Sequence, residues 1–193
     1  MNDLQSLQKA FDAIRPLQPE ESECLLSIWS PYEVKRKQLI TAAGEREKYL
    51  YFITEGVQRV FYLDEQEREA TIVLTYAKSF GGVLNSLLTQ QASKFYYESL
   101  TPSKFLRAPY ELLHQCMIKY PRVAEVIHHG SALAFSGVLD RMVELQCFSS
   151  EEKFRQLLKR SPHVLKLVPH KYLANYLGID PTNFSKLINT IRI

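Results

Sequence analysis

Apolar runs are short in this 193-residue chain, and none approaches the ~18–20 residues that a bilayer-spanning helix needs. The first residues, Met1-Asn2-Asp3-Leu4-Gln5, bear no basic cluster followed by an apolar stretch, so no secretory leader is expected. Cysteine is scarce. Cys24, Cys116 and Cys147 are odd in number and far apart in sequence, so no disulfide framework is expected and a reducing, cytoplasmic compartment is. Residues 32–108 contain neither His nor Cys, which argues against a metalloenzyme whose inward imidazoles build the site. His114, His128, His129, His163 and His170 all come later and read as surface or packing residues. A nucleophile elbow, a P-loop and a dinucleotide fingerprint are all missing. No catalytic residue, metal or cofactor is therefore expected, and the chain does not read as an enzyme.

What is present is the composition of an ordinary soluble folded protein, 46% hydrophobic and 23% charged. Its length suits one large domain or two small ones. The net charge of +3 conceals an asymmetry. Residues 1–140 carry 15 basic and 17 acidic side chains, whereas residues 141–193 carry 9 and 4. A basic end on a near-neutral body fits an anionic partner, nucleic acid first, and fits a solvated surface equally well.

Leu4, Leu7, Phe11 and Ile14 recur at helical spacing. After Pro16 and Pro19, Glu20-Glu21 opens a second short helix carrying Cys24, Leu25, Ile28 and Trp29. The character then changes. Residues 49–54, 57–63 and 70–76 are rich in β-branched and aromatic side chains and are separated by Glu55-Gly56 and by Asp64–Glu67. Short strands at this spacing predict a small sandwich or barrel over 32–108, with Gly44, Gly56, Gly81 and Gly82 at turns where positive φ costs glycine least.

Pro109 suits the first position of a helix through Tyr110, Leu113 and Cys116. Pro121 begins a long one, to about Cys147, with Val123, Val126/Ile127, Gly130, Leu133/Ala134, Gly137 and Arg141 recurring along one stripe. A helix of that length needs a partner along it, and a second copy of itself would serve. Ser149 then caps a helix with Glu151 and Glu152 in its first turn, ended by Ser161-Pro162.

The sharpest local pattern runs from Val168 to Ile188. Pro169 opens a helix that buries Leu173, Ala174 and Leu177, and Gly178 is its left-handed stop. Ile179 plugs the turn, Asp180 caps the next helix and Pro181 is its first residue. Phe184, Leu187 and Ile188 make that helix's apolar face, while Thr182, Asn183, Ser185, Lys186 and Asn189 lie elsewhere. Two short helices joined by a three-residue turn fit a DNA-reading helix-turn-helix and fit a plain packing corner.

The order of parts, over roughly residues 5–190, resembles the cyclic-AMP-receptor/fumarate-nitrate-regulator (Crp/Fnr) family of bacterial transcription regulators. The resemblance is most specific at residues 49–56 with Val60-Phe61-Tyr62, at Ser79-Phe80-Gly81-Gly82, and at residues 172–179. It implies an α+β fold: a cyclic-nucleotide-binding-like β-roll (a double-stranded β-helix) with flanking helices over 1–120, a dimerisation helix over 121–147, and a helix-turn-helix domain over 148–193. The implied partners are double-stranded DNA carrying a near-palindromic operator, a second copy of the chain, an unidentified small-molecule effector and RNA polymerase. Lys171, Asp180, Pro181, Thr182, Asn183, Ser185, Lys186 and Asn189 are the implied DNA-binding residues. Gly82, Val83, Leu84, Ser93 and Lys94 are the implied effector-pocket residues.

The chain departs from the family pattern in places. Where cyclic-nucleotide binders place Gly-Glu-Leu, this sequence has Gly82-Val83-Leu84, and where they place an Arg it has Ser93-Lys94. Lysine lacks the planar fork of arginine, so a response to cyclic AMP is not expected. Four thiolate ligands for an iron–sulfur sensor are not available. The second helix of the hairpin holds no Arg between Arg160 and Arg192, and the sequence ends at Ile193 with no further element expected. The alternative reading is a ligand-binding sensor that acts through protein contacts, its helical hairpin being structural.

Overall fold

The computed structural model of the protein describes residues 2–191. Helix α1 (Asp3–Ile14) starts in a capping box between Asn2 and Gln5 and buries Leu7 and Phe11. Helix α2 (Pro19–Ser27) has Pro19 at its start and Glu21 reaching back to the Gln18 N–H. It stops sooner than the sequence suggests: Ile28 caps it and Trp29 lies beyond, its ring against Phe11 and Phe80.

Eight strands follow, β1 (Ser30–Val34), β2 (Leu39–Thr41), β3 (Tyr49–Glu55), β4 (Val57–Leu63), β5 (Glu69–Tyr76), β6 (Phe80–Gly81), β7 (Tyr96–Ser99) and β8 (Ser103–Pro109). They form two four-stranded sheets, in the orders β1-β8-β3-β6 and β2-β7-β4-β5. Alternation along each strand decides the packing. Val34, Tyr51, Ile53, Val60, Tyr97 and Phe105 meet between the sheets. Leu50, Phe52, Leu106 and Ala108 face the other way, into a helical layer with Leu7, Phe11, Leu25 and Val126. This is the expected β-roll. One detail differs: Gly81 is not at positive φ but in β6, where an added Cβ would lie 2.4 Å from the Tyr97 hydroxyl. Glycine is needed there for close approach, not for backbone freedom.

Helix α3 (Leu84–Thr89) lies between β6 and β7, and α4 (Tyr110–Lys119) follows β8, with Pro109 as cap residue rather than first helical residue. Helix α5 (Pro121–Cys147) is continuous over 27 residues, or about 40 Å at 1.5 Å per residue. Its stripe is covered at the two ends only. Val123, Val126 and Ile127 are buried in the helical layer, Gly130 sits against Ile14, and Arg141 is buried at the other end. The chain's own elements cover that face at both ends. Its middle, at Leu133, Ala134 and Gly137, is exposed, and further exposed apolar side chains lie around the helix from it, among them Phe135, Leu139 and Met142, at 63%, 45% and 49% exposure. Among the described residues, no helix is long and apolar enough to cross a membrane.

The C-terminal part comprises α6 (Ser150–Arg160), α7 (Val164–Leu167), α8 (His170–Leu177) and α9 (Pro181–Thr190), of which α7 was not foreseen. Ser149 and Glu152 form the capping box of α6. Phe154, Leu157, Leu173, Leu177, Ile179 and Phe184 make a second core, which Val57 and Leu100 of the roll join. All three cysteines are free, as the sequence suggests, yet two of them meet. Cys24 and Cys116, distant in sequence, are in contact, Sγ to Sγ 2.7 Å. Burial, with Cys24 alongside, pushes the Cys116 thiol up to about 12, so Cys116 stays protonated at neutral pH.

Candidate nucleic-acid interface and ligand pocket

The turn between α8 and α9 forms as the residues dictate. Gly178 adopts φ +60°, and its N–H and that of Ile179 close the end of α8. Asp180 accepts the Thr182 and Asn183 N–H groups at 2.8 and 3.2 Å. Its carboxylate is a helix cap, which occupies it locally. Phe184 is buried and anchors α9, while Pro181, Thr182, Asn183, Ser185, Lys186 and Asn189 are exposed on it. Ser185 donates its hydroxyl back to the Pro181 carbonyl. Lys171, on α8, is exposed with its ammonium over the Tyr172 ring. Arg192 lies outside the described residues. The basic excess of this region is partly neutralised, since Arg141 and Arg160 both pair with the buried Glu144 and Arg155 pairs with Glu151.

Two joints hold the hairpin. At the end of α5, Arg141 stacks on Tyr176 and donates to its carbonyl. Against the roll, α8 packs on β5, an edge strand whose outward backbone groups would otherwise be unpaired. Asn175 caps that edge, accepting the Thr71 N–H and donating to the Glu69 carbonyl, each at 2.7 Å. Beside it Arg59 is buried, bonded to Glu98 and Glu69 at 2.9 and 2.6 Å, with its guanidinium near the Phe61 and Tyr172 rings. Arg59 holds the Glu69 carboxyl below its ordinary value.

Of the five effector-pocket candidates, Gly82, Val83 and Ser93 touch one loop, residues 42–48. Val83 is buried between the sheets and Leu84 packs on the helical layer. Ser93 is buried and bonded to Phe95, while Lys94 is exposed. Gly82 has φ +105° with Tyr49, Tyr51 and Glu47 close by. Glu47 is the residue that the sequence reading missed. Its carboxylate accepts from the Thr41 hydroxyl at 2.7 Å and from the Val83, Lys48 and Tyr49 N–H groups. Burial pushes its pKa up against those hydrogen bonds, which pull it down. An opening of about 360 Å³ lies on the other side of this loop, with Tyr32, Ile40, Glu47, Lys48, Tyr49 and Arg107 in its wall. Alternation extended back from Tyr51 and Tyr49 would have turned Glu47 inward, and Arg107 shares the phase of Phe105 on β8.

A roll of two such sheets with a short helix after Gly82 defines a class, and residues 32–120 match the family model of the cyclic nucleotide-binding domain. The whole chain then has the fold of solved Crp/Fnr regulators. FixK2 from Bradyrhizobium japonicum superposes with a TM-score of 0.76 at 13% identity, covering 84% of this chain and 83% of its own. A protein from Eubacterium rectale described as a transcriptional regulator of the Crp/Fnr family gives 0.71 at 16%, covering 94% and 86%. The catabolite activator protein of Thermus thermophilus gives 0.57 at 21%, covering 91% and 84%. No curated protein matches the chain by sequence.

Proposed function

We propose that the chain is a dimeric, DNA-binding transcription regulator of the Crp/Fnr type, that it catalyses no reaction, and that it does not answer to cyclic AMP. Residues 1–120 are its sensor, 121–147 its dimer seam and 148–193 its helix-turn-helix domain. The observation that carries this reading is the surface of α9, where Thr182, Asn183, Lys186 and Asn189 stand exposed around the buried anchor Phe184. Asn183 is suited to adenine and Lys186 to guanine or a phosphate. Thr182, Ser185 and Lys171 are suited to the backbone. Phe135, Leu139 and Met142 give α5 an apolar seam at spacings of four and three residues, which suits a second copy of the same helix. Two copies would place their α9 helices in major grooves ~34 Å apart, hence a near-palindromic operator. RNA polymerase is the further protein partner.

Against cyclic AMP stand three features of the roll. Val83 offers no acceptor to a ribose hydroxyl, Glu47 already takes the Val83 N–H with a negative group, and Lys94 lies at the surface. A phosphate would meet a carboxylate where it needs donors. The test is selection of bound genomic fragments followed by fluorescence anisotropy on the selected duplex. Lys186→Ala should weaken binding to it by ~1–3 kcal/mol. Equal affinity of the unaltered protein for selected and random duplex at moderate salt would overturn the reading.

A further inference from the structure

Arg107 lies on β8 between strands β1 and β3, each of which supplies a tyrosine. Its guanidinium carbon is 4.0 Å from the centre of the Tyr32 ring and 4.4 Å from that of Tyr49. Both rings are within cation–π reach of the guanidinium. Among the described residues, none of its nitrogens makes a hydrogen bond or an ion pair, and Nε is buried without a partner. Nε has no accessible surface for a ligand to meet, whereas the two terminal nitrogens, unpaired and not buried, are open to one. Glu47, in the wall of the same cavity, does not pair with them, because its oxygens are held by the Thr41 hydroxyl and three backbone N–H groups.

Arg107 borders a cavity of about 360 Å³, within the ~300–1,000 Å³ that small-molecule sites occupy. Arg46, Lys48 and Arg107 in its wall outnumber Glu45 and Glu47, while Ile40 and Tyr51 give it an apolar side. The two terminal nitrogens of a guanidinium match a planar carboxylate through parallel hydrogen bonds.

We infer that this cavity is the sensor's ligand site and that it takes a small organic carboxylate, its acid group on the terminal nitrogens of Arg107 and its apolar body against Ile40 and Tyr51. The inference deepens the reading of residues 1–120 as a sensor and rests on that part of it alone. The site lies across the 42–48 loop from Val83 and Lys94, so its occupant makes no use of the positions where the family pattern places a cyclic phosphate.

The test is calorimetric titration of the full chain, without DNA, with benzoate, hexanoate, benzamide and inorganic phosphate. Benzoate or hexanoate should bind one per chain, with benzamide at least about tenfold weaker, because the amide gives up the charge-assisted pair. Arg107→Leu should lose at least about the same factor, and Arg107→Lys should fall between, since lysine keeps the charge and loses the fork. Absence of carboxylate binding at millimolar concentration, equal binding of benzoate and benzamide, preference for phosphate, or undiminished binding by Arg107→Leu would each overturn the inference. Should Arg107→Leu fail to fold, the contrast between benzoate and benzamide on the unaltered protein decides alone. Failure here leaves DNA binding as it was measured, and failure of DNA binding leaves this result standing.

Discussion

Replacing Asn175 with Ala probes the joint between the C-terminal helices and the roll at one side chain. Asn175 supplies two hydrogen bonds of 2.7 Å to the free edge of β5, one from the Thr71 N–H and one to the Glu69 carbonyl. Each such bond contributes about 0.5–1.5 kcal/mol net, so their removal should cost about 1–3 kcal/mol of docking. That is about 5- to 150-fold in the ratio of docked to released forms. Thr71 is only 6% exposed, so its N–H is shielded in the docked form with Asn175 as its partner. Amide hydrogen exchange reads this directly. In Asn175→Ala the Thr71 amide should exchange about 5- to 150-fold faster, while the amides of β8, central in the opposite sheet, keep their rates. Unchanged exchange at Thr71, or equal acceleration throughout the roll, would refute the reasoning.

Other consequences follow from the same geometry. Leu139→Glu places a charge in the seam of α5 and should convert a dimer to a monomer in sedimentation, with little change in the unfolding of the monomer. Glu69→Gln bears on acid stability. The Glu69 carboxyl is depressed by Arg59, so its contribution is present above its ordinary value of 4.5 and lost as pH falls through the lower folded value. The substituted chain should therefore lose stability less steeply below that pH in denaturant titrations. Thiol labelling should find Cys147 first, because it is exposed, and Cys116 last, because burial holds it protonated. Equal rates would contradict the contact between Cys24 and Cys116.

Local rules made much of the fold legible in the residues. The strands alternate, the capping serine and aspartate at 149 and 180 do what their chemistry requires, and Gly178 takes the left-handed turn. What failed to show was tertiary. The stripe of α5 is covered near Gly130 and Arg141 and open between them, and only the placement of α1 and α8 decides where the cover ends. Cys24 and Cys116 meet because α2 packs on α4, which sequence separation conceals. For the pocket, a family cassette drew attention to Val83 and Lys94. Strand phase, followed one step further along β3 and β8, points to Glu47 and Arg107 instead. Nothing local in the sequence marks Arg59 as the residue that Tyr172 covers.

The account's central claim concerns how two chains sit on one duplex. Sedimentation of the protein with a selected genomic duplex, across a series of salt concentrations, addresses it most directly. Two chains per duplex, tighter than on random sequence and weakening steadily with salt, is the predicted result. One chain per duplex, or no preference for the selected sequence, would contradict it.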